Sequence, residues 1–322
     1  MRGCLGNAIG PGRPDSRVAP VRERGADRSS SSPEPAAERF RKADSYRARR
    51  EWQRYEGTGQ RDLFRQLRER FLVRHLVEGG WVLDLGSGPG RFLPFEGGTR
   101  SRRVALDLSR EMLNLVPEAW SAAGSPGPTP QRVMADALRP PFAPGRFAEV
   151  VVLGNTLGFA EKEAGRLLQV AEELVAPGGV LLIEVAPAAG ERSKYLARLP
   201  APSGARLLRA PVGAVRGRIL REGFRIEPAR RVHAGSFRRF SVEELQDRWR
   251  RSGWEMTEAM AVAPVLGPDA DRIAAVRRDG KAWAHLLELE EYVGRLPERW
   301  ANAAAVLLSA RRPGALAIPT IK

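Results

Sequence analysis

Short, mostly apolar runs alternate along the chain with longer segments in which apolar residues recur at helical spacing. Two strands are expected late in the chain, one after Gly253 and one at 303–310. Strands that alternate with helices form parallel sheets covered on both faces. The pattern therefore predicts an α/β fold with a doubly wound, mostly parallel seven-stranded sheet and helices on both faces. The five earlier runs predict buried strands at 81–85, 103–107, 132–135, 147–153 and 180–185.

The helical segments have apolar faces and recognisable ends. From residue 36 to about 77 the apolar residues recur at helical spacing, so this segment is predicted to pack on the sheet. Ser109 and Ser241 are expected to cap two further helices, and the sequence after Ser241 is a capping box. Additional helices are expected at 167–174 and 283–293.

The segment after the fifth strand is longer than a sheet connection requires. Polar and apolar residues alternate at 224–227, where a strand is expected. We predict that this segment is a cap inserted over the strand ends. The start of the chain is rich in Gly, Pro, Ser and Arg, which predicts disorder. The predicted segments are a disordered basic tail (1–37), N-terminal helices acting as a lid (38–78), a core (79–186), an inserted basic cap (187–240), the C-terminal completion of the sheet (241–314) and a tail (315–322).

The first strand carries Asp84 and is followed by three glycines at every second position, Gly86, Gly88 and Gly90. Glycine is needed where the backbone turns sharply or comes close to a ligand. A glycine turn between a strand and a helix is the usual nucleotide-binding corner of a doubly wound sheet. The spacing differs from the G-x-G-x-x-G of nicotinamide and flavin enzymes. The turn is therefore predicted to lead into a helix and to bind a different nucleotide-like ligand.

Carboxylates end the next two strands. Asp107 lies 17 residues beyond Gly90, close to the sequence spacing at which a carboxylate at the end of the second strand reaches ribose hydroxyls. Its alternative role is a cap at the strand end. Asp136 follows the third strand. By its position alone it could be a structural turn residue.

These motifs together resemble those of the class I S-adenosylmethionine (SAM) methyltransferases. The acid and glycines at 84–90, the segment around Asp107, and Pro177-Gly178-Gly179 before the fifth strand carry the resemblance. It covers about residues 52–312 and is most specific from 81 to 185. It implies a SAM-binding, Rossmann-like core at 79–186. The cofactor-binding residues that it implies are Tyr55 from the lid, Asp84, Gly86, Ser87, Gly88, Gly90, Asp107 toward the ribose, Leu108, Asp136 toward the adenine amino group, Ala137, Gly154 and Asn155.

The resemblance also implies an in-line transfer of a methyl group, in which the protein mainly positions the reactants and excludes water. A general base helps only where the acceptor starts protonated. Weak candidates near the strand ends are Asn155 as an orienting group, Glu184 and His233. Glu184 could instead pair with the cap's arginines, His233 could be a surface residue, and Tyr55 could be a packing aromatic. No residue is assigned as catalytic from the sequence.

Motifs that are absent from the sequence narrow the range of possible methyl acceptors. The sequence after the fourth strand, at 154–157, differs from the Asn/Asp-Pro-Pro-Tyr/Phe of exocyclic-amine enzymes. Cytosine and uracil C5 enzymes need a catalytic cysteine, whereas Cys4, the single cysteine, lies in the tail. The five lysines also do not assemble the Lys-Asp-Lys-Glu set of ribose 2′-O enzymes. We therefore expect a small-molecule or lipid-like acceptor. The alternatives are an RNA or protein methyltransferase, a non-catalytic SAM-binding partner subunit, and a nicotinamide oxidoreductase.

The chain has a formal net charge of +15 and a sequence pI near 11.0. Residues 206–251 contain 13 arginines and 5 acidic residues, a local net charge of +8. This excess suggests an anionic partner, but a bias toward arginine over lysine also follows from genomic base composition. Nucleic acid is therefore a less favoured partner than a small molecule.

Several features bear on location and metal binding. The chain has no apolar run of the roughly 18–20 residues that span a bilayer and no signal-peptide h-region, so a cytoplasmic location without a membrane segment is expected. A single cysteine and three separated histidines predict no disulfide within the chain and no metal site. The sequence determines neither the acceptor nor the oligomeric state.

Overall fold

The main feature of the protein, seen in a computed structural model, is a seven-stranded sheet. The structure describes residues 48, 51–53, 60–125, 127–187, 194–196, 226–228, 238–265, 270–300, 303 and 305–314. The main sheet consists of β1 (Trp81–Leu85), β2 (Arg102–Asp107), β3 (Gln131–Met134), β4 (Phe147–Val152), β5 (Val175–Val185), β8 (Glu255–Ala261) and β9 (Val306–Arg311), and β6 (Lys194–Leu196) pairs separately with β7 (Ile226–Pro228).

The sheet order is β3-β2-β1-β4-β5-β9-β8. The pairs among β1 to β5 are parallel, and β9 is antiparallel to both of its neighbours. The prediction of a mostly parallel seven-stranded sheet is therefore confirmed. The chain order reverses between β1 and β4, and in such sheets ligands bind outside the carboxyl ends of the strands at this switch point.

The helices cover both faces of the sheet. Residues 48 and 51–53 are also helical, and short 3₁₀ helices lie at Leu93–Phe95 and Glu161–Glu163. None of the helices within the described part of the chain is long and apolar enough to cross a membrane. The α-helices are α1 (Gln60–Arg74), α2 (Arg110–Ala122), α3 (Thr156–Phe159), α4 (Ala164–Leu174), α5 (Val242–Arg251), α6 (Ala270–Arg277), α7 (Gly280–Gly294) and α8 (Pro297–Trp300).

Alternate residues of each strand feed two separate cores, as the two-residue period of a strand requires. On one face Val82 packs in a cluster with Leu67 of α1. On the other face Leu83 packs in a cluster with Leu168 of α4 and Trp249 of α5. Because both faces of the central strand β1 are covered, its sequence is mostly apolar rather than alternating.

The helix predicted directly after the glycine turn is absent, and that prediction is wrong. In its place is the three-residue 3₁₀ helix Leu93–Phe95, with Pro94 in its first turn. Gly97 follows with a φ of +61°, and a side-chain carbon on Gly98 would lie 2.2 Å from Glu78 Cδ. The segment between β1 and β2 is thus a compact loop packed on its own neighbours rather than a regular helix.

Gly178 and Gly179, expected just before a fifth strand at 180–185, lie within that strand instead. The strand β5 already begins at Val175, and its pairing with β4 shifts register between Phe147 and Glu149. A side-chain carbon on Gly179 would lie 2.7 Å from the Ala148 carbonyl oxygen. Gly178 and Gly179 therefore lie in an irregularity within β5, where the two backbones come close together.

The inserted segment leaves and rejoins the sheet at one place. Phe240 N–H donates to the Ala186 carbonyl at 3.0 Å, and Pro187 and Phe240 form an isolated parallel bridge. Within the insert, the antiparallel pair β6 and β7 overlaps the strand expected at 224–227. Ser241 then caps α5 as expected, because its Oγ accepts the Glu244 N–H at 2.9 Å. The last strand begins at residue 306 rather than 303.

Candidate active site

The glycine turn closes over the end of β2. The N–H groups of Gly86 and Ser87 both donate to the Leu106 carbonyl, at 2.8 and 3.0 Å. Gly86, Gly88 and Gly90 all have positive φ, at 82°, 54° and 75°. These left-handed conformations favour glycine strongly. The turn therefore requires glycine at all three positions for backbone reasons.

The three glycines differ in what surrounds them. A side-chain carbon on Gly86 would lie 2.5 Å from Thr156 Cγ2, and one on Gly90 would lie 2.7 Å from Leu93 Cδ1. At Gly88 the same carbon would meet no atom within 4 Å. Gly86 and Gly90 are thus sites of close packing, whereas Gly88 borders open space.

Asp107 connects the glycine turn to the start of α2. Its Oδ2 accepts the Gly88 N–H and its Oδ1 accepts the Ser109 N–H, both at 2.8 Å. Ser109 in turn caps α2, with its Oγ accepting the Met112 N–H at 3.2 Å. A carboxylate can accept about four hydrogen bonds. The capping role seen here is therefore compatible with two further bonds from ribose hydroxyls.

Asp84 lies buried beneath the turn and faces a second acid. Burial, with a contribution from the charge of Asp107, raises the pKa of Asp84 to about 8. Glu96 is also fully buried, and burial together with the charges of Asp84 and Glu149 raises its pKa well above the ordinary range. Neither carboxyl oxygen of Glu96 has a partner at hydrogen-bonding geometry among the described residues. Asp84 is thus a buried carboxyl whose raised pKa favours the protonated form at neutral pH.

Asp136 forms a tight turn at the end of β3. Its Oδ1 accepts the Leu138 N–H at 2.9 Å, and its carbonyl accepts the Arg139 N–H at 2.9 Å. The Ala135 N–H donates to the Asp107 carbonyl at 3.1 Å, which joins the ends of β2 and β3. The carboxylate is exposed, and Leu108 and Ala137 beside these strand ends are half-buried. The structural role is observed, and the adenine contact stays a prediction.

The end of β4 has an unusual backbone. Gly154 and Asn155 are consecutive left-handed residues, with φ of 66° and 62°. A side-chain carbon on Gly154 would meet no atom within 4 Å, so this residue also borders open space. Asn155 Oδ1 is buried and has no hydrogen-bond partner in the described part of the chain. Because buried polar atoms are normally paired, this atom is a candidate for a ligand contact.

Glu184 lies on β5 next to this turn and is already paired. Its two oxygens accept hydrogen bonds from Arg68 Nη2 at 2.6 Å and Arg68 Nε at 2.8 Å, and both residues are buried. Its described partner thus comes from α1, whereas the sequence suggested an arginine of the cap. Glu184 Oε2 also accepts the Gly154 N–H at 3.2 Å. A carboxylate stabilised in this way is a weak general base.

The N-terminal segment reaches the residue that follows the turn. The Arg91 guanidinium lies 4.6 Å from the centre of the Trp52 ring and donates to the Trp52 carbonyl. The helical residues 51–53 are thus placed beside the glycine turn. Tyr55, the candidate from this segment, lies outside the described residues, and so does His233.

Several buried charged residues were missed by sequence reasoning, among them Arg68 and Glu96. Arg68 lies on the apolar stripe of α1, four residues after Phe64 and three before Phe71, and an arginine at such a position signals a buried partner. Glu96 gave no signal, because it lies in an irregular loop with no periodic pattern.

A cleft of about 560 Å³ lies between α4 and α5 rather than at the strand ends. None of its lining residues belongs to the glycine turn or to the predicted cofactor site. Among the described residues, no group of three or more His, Cys, Asp or Glu side chains is arranged to hold a metal ion. The cleft is lined by Glu161, Lys162, Gly165, Leu168, Arg238, Phe240, Glu244, Leu245, Arg248 and Arg251.

A comparison with protein families identifies the domain that holds this site. Residues 82–179 match the family model of a methyltransferase domain, and this span contains the glycine turn, Asp107, Asp136 and Asn155. Residues 82–179 thus form a SAM-dependent methyltransferase domain. The cofactor of the methyltransferase is SAM, as the resemblance implied. No curated protein matches the chain by sequence.

Several solved structures are similar to the methyltransferase. A chain of the complex between the Haloferax volcanii Trm112 methyltransferase activator and a methyltransferase is 19% identical, with 86% of this chain and 97% of that chain covered and a TM-score of 0.48. Magnesium protoporphyrin IX methyltransferase from Synechocystis PCC 6803 with bound SAM is 13% identical, with 88% and 100% covered and a TM-score of 0.49. Geranyl diphosphate C-methyltransferase from Streptomyces coelicolor A3(2) is 15% identical, with 77% and 79% covered and a TM-score of 0.43.

The residues of the methyltransferase site fit SAM. The turn leaves open space at Gly88 and the end of β4 leaves it at Gly154, so ligand atoms can approach the backbone closely at both places. Asp107 places a carboxylate at the end of β2, where it accepts a hydrogen bond from the Gly88 N–H. SAM supplies a methyl group on a sulfonium that is already a good leaving group. The protein therefore has to bind, orient and shield the reactants, rather than activate the methyl donor.

Proposed function

We propose that the methyltransferase transfers the methyl group to a small-molecule or lipid-like acceptor held beneath the inserted segment 187–240. The observation that carries this proposal is the position of the insert. It leaves the sheet after Val185, at the carboxyl end of β5, and returns through the contact between Phe240 and Ala186. The carboxyl ends of the parallel strands are also where Gly88, Asp107 and Gly154 lie.

We propose that the segment inserted at this edge covers the side of the sheet where the cofactor binds. The 52 residues between Pro187 and Phe240 are enough to build an enclosure, which a methyl transfer needs to exclude water. The N-terminal residues around Trp52 approach the same edge through Arg91. We therefore propose that the lid (38–78) and the cap (187–240) together enclose the acceptor.

The arginine-rich segment gives limited support to an RNA acceptor. Binding to phosphates requires cations that are available to the ligand. Three of the five described arginines in this segment, Arg238, Arg248 and Arg250, instead form ion pairs with the carboxylates Glu244, Glu172 and Asp247. The described part of the segment therefore uses most of its charges within the protein.

The class of acceptor can be tested by following the transferred methyl group. The purified full-length protein is incubated with methyl-tritiated SAM and an extract of its source cells, and the label is separated into small-molecule, RNA and protein fractions. We expect the label in the small-molecule or organic-soluble fraction, with Asp107→Ala reducing its amount. Label that is released by ribonuclease or by protease would overturn the proposal in favour of a macromolecular acceptor.

A further inference from the structure

The turn at the end of β4 is held in a conformation that needs outside support. Asn155 has a φ of 62°, in the left-handed region that residues other than glycine seldom adopt and that asparagine tolerates better than most. Such a conformation persists only when the surrounding structure holds it. Within the turn, Thr156 N–H donates to the Leu153 carbonyl at 3.2 Å and Phe159 N–H donates to the Asn155 carbonyl at 3.0 Å.

A side chain from the neighbouring strand provides a further hydrogen bond. Glu184 Oε2 accepts the Gly154 N–H at 3.2 Å, and Gly154 directly precedes Asn155. Because Gly154 borders open space at the carboxyl edge of the sheet, a change in its orientation alters the wall of the cofactor site. The position of the Glu184 carboxylate therefore bears on the shape of the site.

Glu184 is itself fixed by Arg68 of α1. Two hydrogen bonds, at 2.6 and 2.8 Å, join the guanidinium fork to the two carboxylate oxygens, and Arg68 Nη1 also donates to the Phe64 carbonyl at 3.0 Å. A bidentate pair fixes the plane of the carboxylate as well as its distance. A lysine could keep the charge but could not keep this geometry.

We propose that Arg68 is a positioning residue of the methyltransferase: through Glu184 it sets the orientation of the Gly154–Asn155 turn beside the cofactor. The proposal rests on SAM binding at this edge and is independent of the class of acceptor. It assigns α1 a role in the site, beyond its packing on the sheet.

The test is the affinity for S-adenosylhomocysteine, measured by titration calorimetry on the full-length protein, together with thermal unfolding. Arg68→Lys should keep the fold and weaken the affinity by about 3- to 30-fold, the range seen for residues that act through a network. Glu184→Gln should also weaken the affinity, because the variant loses the charged pair with Arg68. The glutamine keeps an oxygen that can accept the Gly154 N–H, so the variant tests the pair with Arg68 rather than that hydrogen bond. Arg68→Met with Glu184→Gln should recover thermal stability relative to Arg68→Met alone without recovering the affinity.

Arg74→Lys is the matched control. Arg74 is the last residue of the same helix and pairs with Glu291 at 2.7 Å and Glu258 at 3.1 Å, away from the turn. Arg74→Lys should lower the unfolding midpoint and leave the affinity for S-adenosylhomocysteine unchanged. If Arg68→Lys leaves the affinity unchanged, or if both lysine variants weaken it in proportion to their loss of midpoint, Arg68 is only structural. If the wild-type protein does not bind S-adenosylhomocysteine, the cofactor assignment fails rather than the role of Arg68.

Discussion

At the scale of single residues, Asp107 joins two elements of the site. It holds the glycine turn through Gly88 and the start of α2 through Ser109, each by a 2.8 Å bond. The same carboxylate is predicted to bind the ribose of SAM. Structural and ligand-binding roles thus meet in one side chain, and a suitable control is needed to separate them.

Asp107→Ala should weaken the binding of SAM and S-adenosylhomocysteine by about 10- to 100-fold, because hydrogen bonds to a charged group contribute roughly 1.5–3 kcal/mol. Thermal unfolding with SAM, S-adenosylhomocysteine or NAD measures this, since a ligand that binds the native state raises the midpoint. SAM and S-adenosylhomocysteine should raise the wild-type midpoint and NAD should not. Stabilisation by NAD without stabilisation by SAM would refute the cofactor assignment.

Asp279→Ala is the control for Asp107→Ala. Asp279 Oδ1 also accepts two backbone N–H groups, from Lys281 and Ala282, both at 3.1 Å, at the start of α7. Its loss should cost about 1 kcal/mol as a lost cap. The upward shift of the midpoint caused by SAM should remain as large as in the wild-type protein.

The glycines of the turn should respond differently to alanine. Gly90→Ala should mainly destabilise the fold, because its new carbon would lie 2.7 Å from Leu93 and 2.9 Å from Val116. Gly88→Ala should cost about 1 kcal/mol of backbone strain and chiefly weaken cofactor binding, since its carbon projects into open space. Calorimetric affinity and the unfolding midpoint separate the two effects.

Gly124→Ala controls for strain alone. Gly124 has a φ of 62° and also has no atom within 4 Å of the added carbon, but it follows α2 away from the turn. Its midpoint should fall about as far as that of Gly88→Ala, with unchanged cofactor affinity. Equal affinities for Gly88→Ala and Gly124→Ala would show that Gly88 does not border the cofactor.

At the scale of elements, α5 fixes the point at which the insert returns to the sheet. Trp249 is fully buried, and its Nε1 donates to Glu172 Oε1 of α4 at 2.9 Å. Arg248 forms two hydrogen bonds with the same carboxylate, at 2.8 and 2.6 Å. The helix is therefore joined to α4 near its end and capped by Ser241 at its start.

Ser241→Ala should lower the free energy of unfolding by about 1 kcal/mol, because the Glu244 N–H loses its cap at 2.9 Å. Ser241→Asp should restore most of this stability, since aspartate also caps helices well. Urea unfolding measures both variants. A serine-to-alanine change without any loss of stability would show that the cap does not contribute to α5.

The elements were predictable to different degrees. The strands β1, β2 and β4 and the caps at Ser109 and Ser241 follow from residues that are adjacent in the chain. The 3₁₀ helix after the turn and the irregular start of β5 did not follow, because close packing at Gly98 and Gly179 decides them. These contacts involve backbone and side chains brought together only by the folded sheet.

At the scale of the whole molecule, buried carboxyls link stability to pH. Glu149 is fully buried on β4, where it accepts the Val77 and Gly97 N–H groups at 3.2 Å. Burial raises the pKa of Glu149 to about 7 and that of Asp84 to about 8. Above about pH 5 the unfolded chain has lost protons that the folded protein keeps. Stability therefore falls as the pH rises from about 5 to 8.

The free energy of unfolding should therefore be lower at pH 8.5 than at pH 5.5. Glu149→Gln should remove about 2 kcal/mol of this decrease. In the wild-type protein Glu149 contributes to the loss of stability between about pH 5.5 and its pKa near 7, and above that pH it contributes no further loss. Urea unfolding at the two pH values measures the effect. Glu173→Gln on the exposed face of α4 is the control and should keep the wild-type slope. A stability that rises over this range would contradict the proposed protonation of the buried acids.

The sequence by itself determined the alternation of strands and helices, the glycine turn and the carboxylates at the strand ends. These features depend on local periodicity and backbone geometry, which neighbouring residues set. The tertiary structure alone decided that Arg68 pairs with Glu184 across 116 residues and that Glu96 faces Asp84 beneath the turn. It also placed β9 antiparallel between β5 and β8. Such pairings depend on which surfaces the closed core brings together, and burial then sets the pKa values and charges that act beside the cofactor.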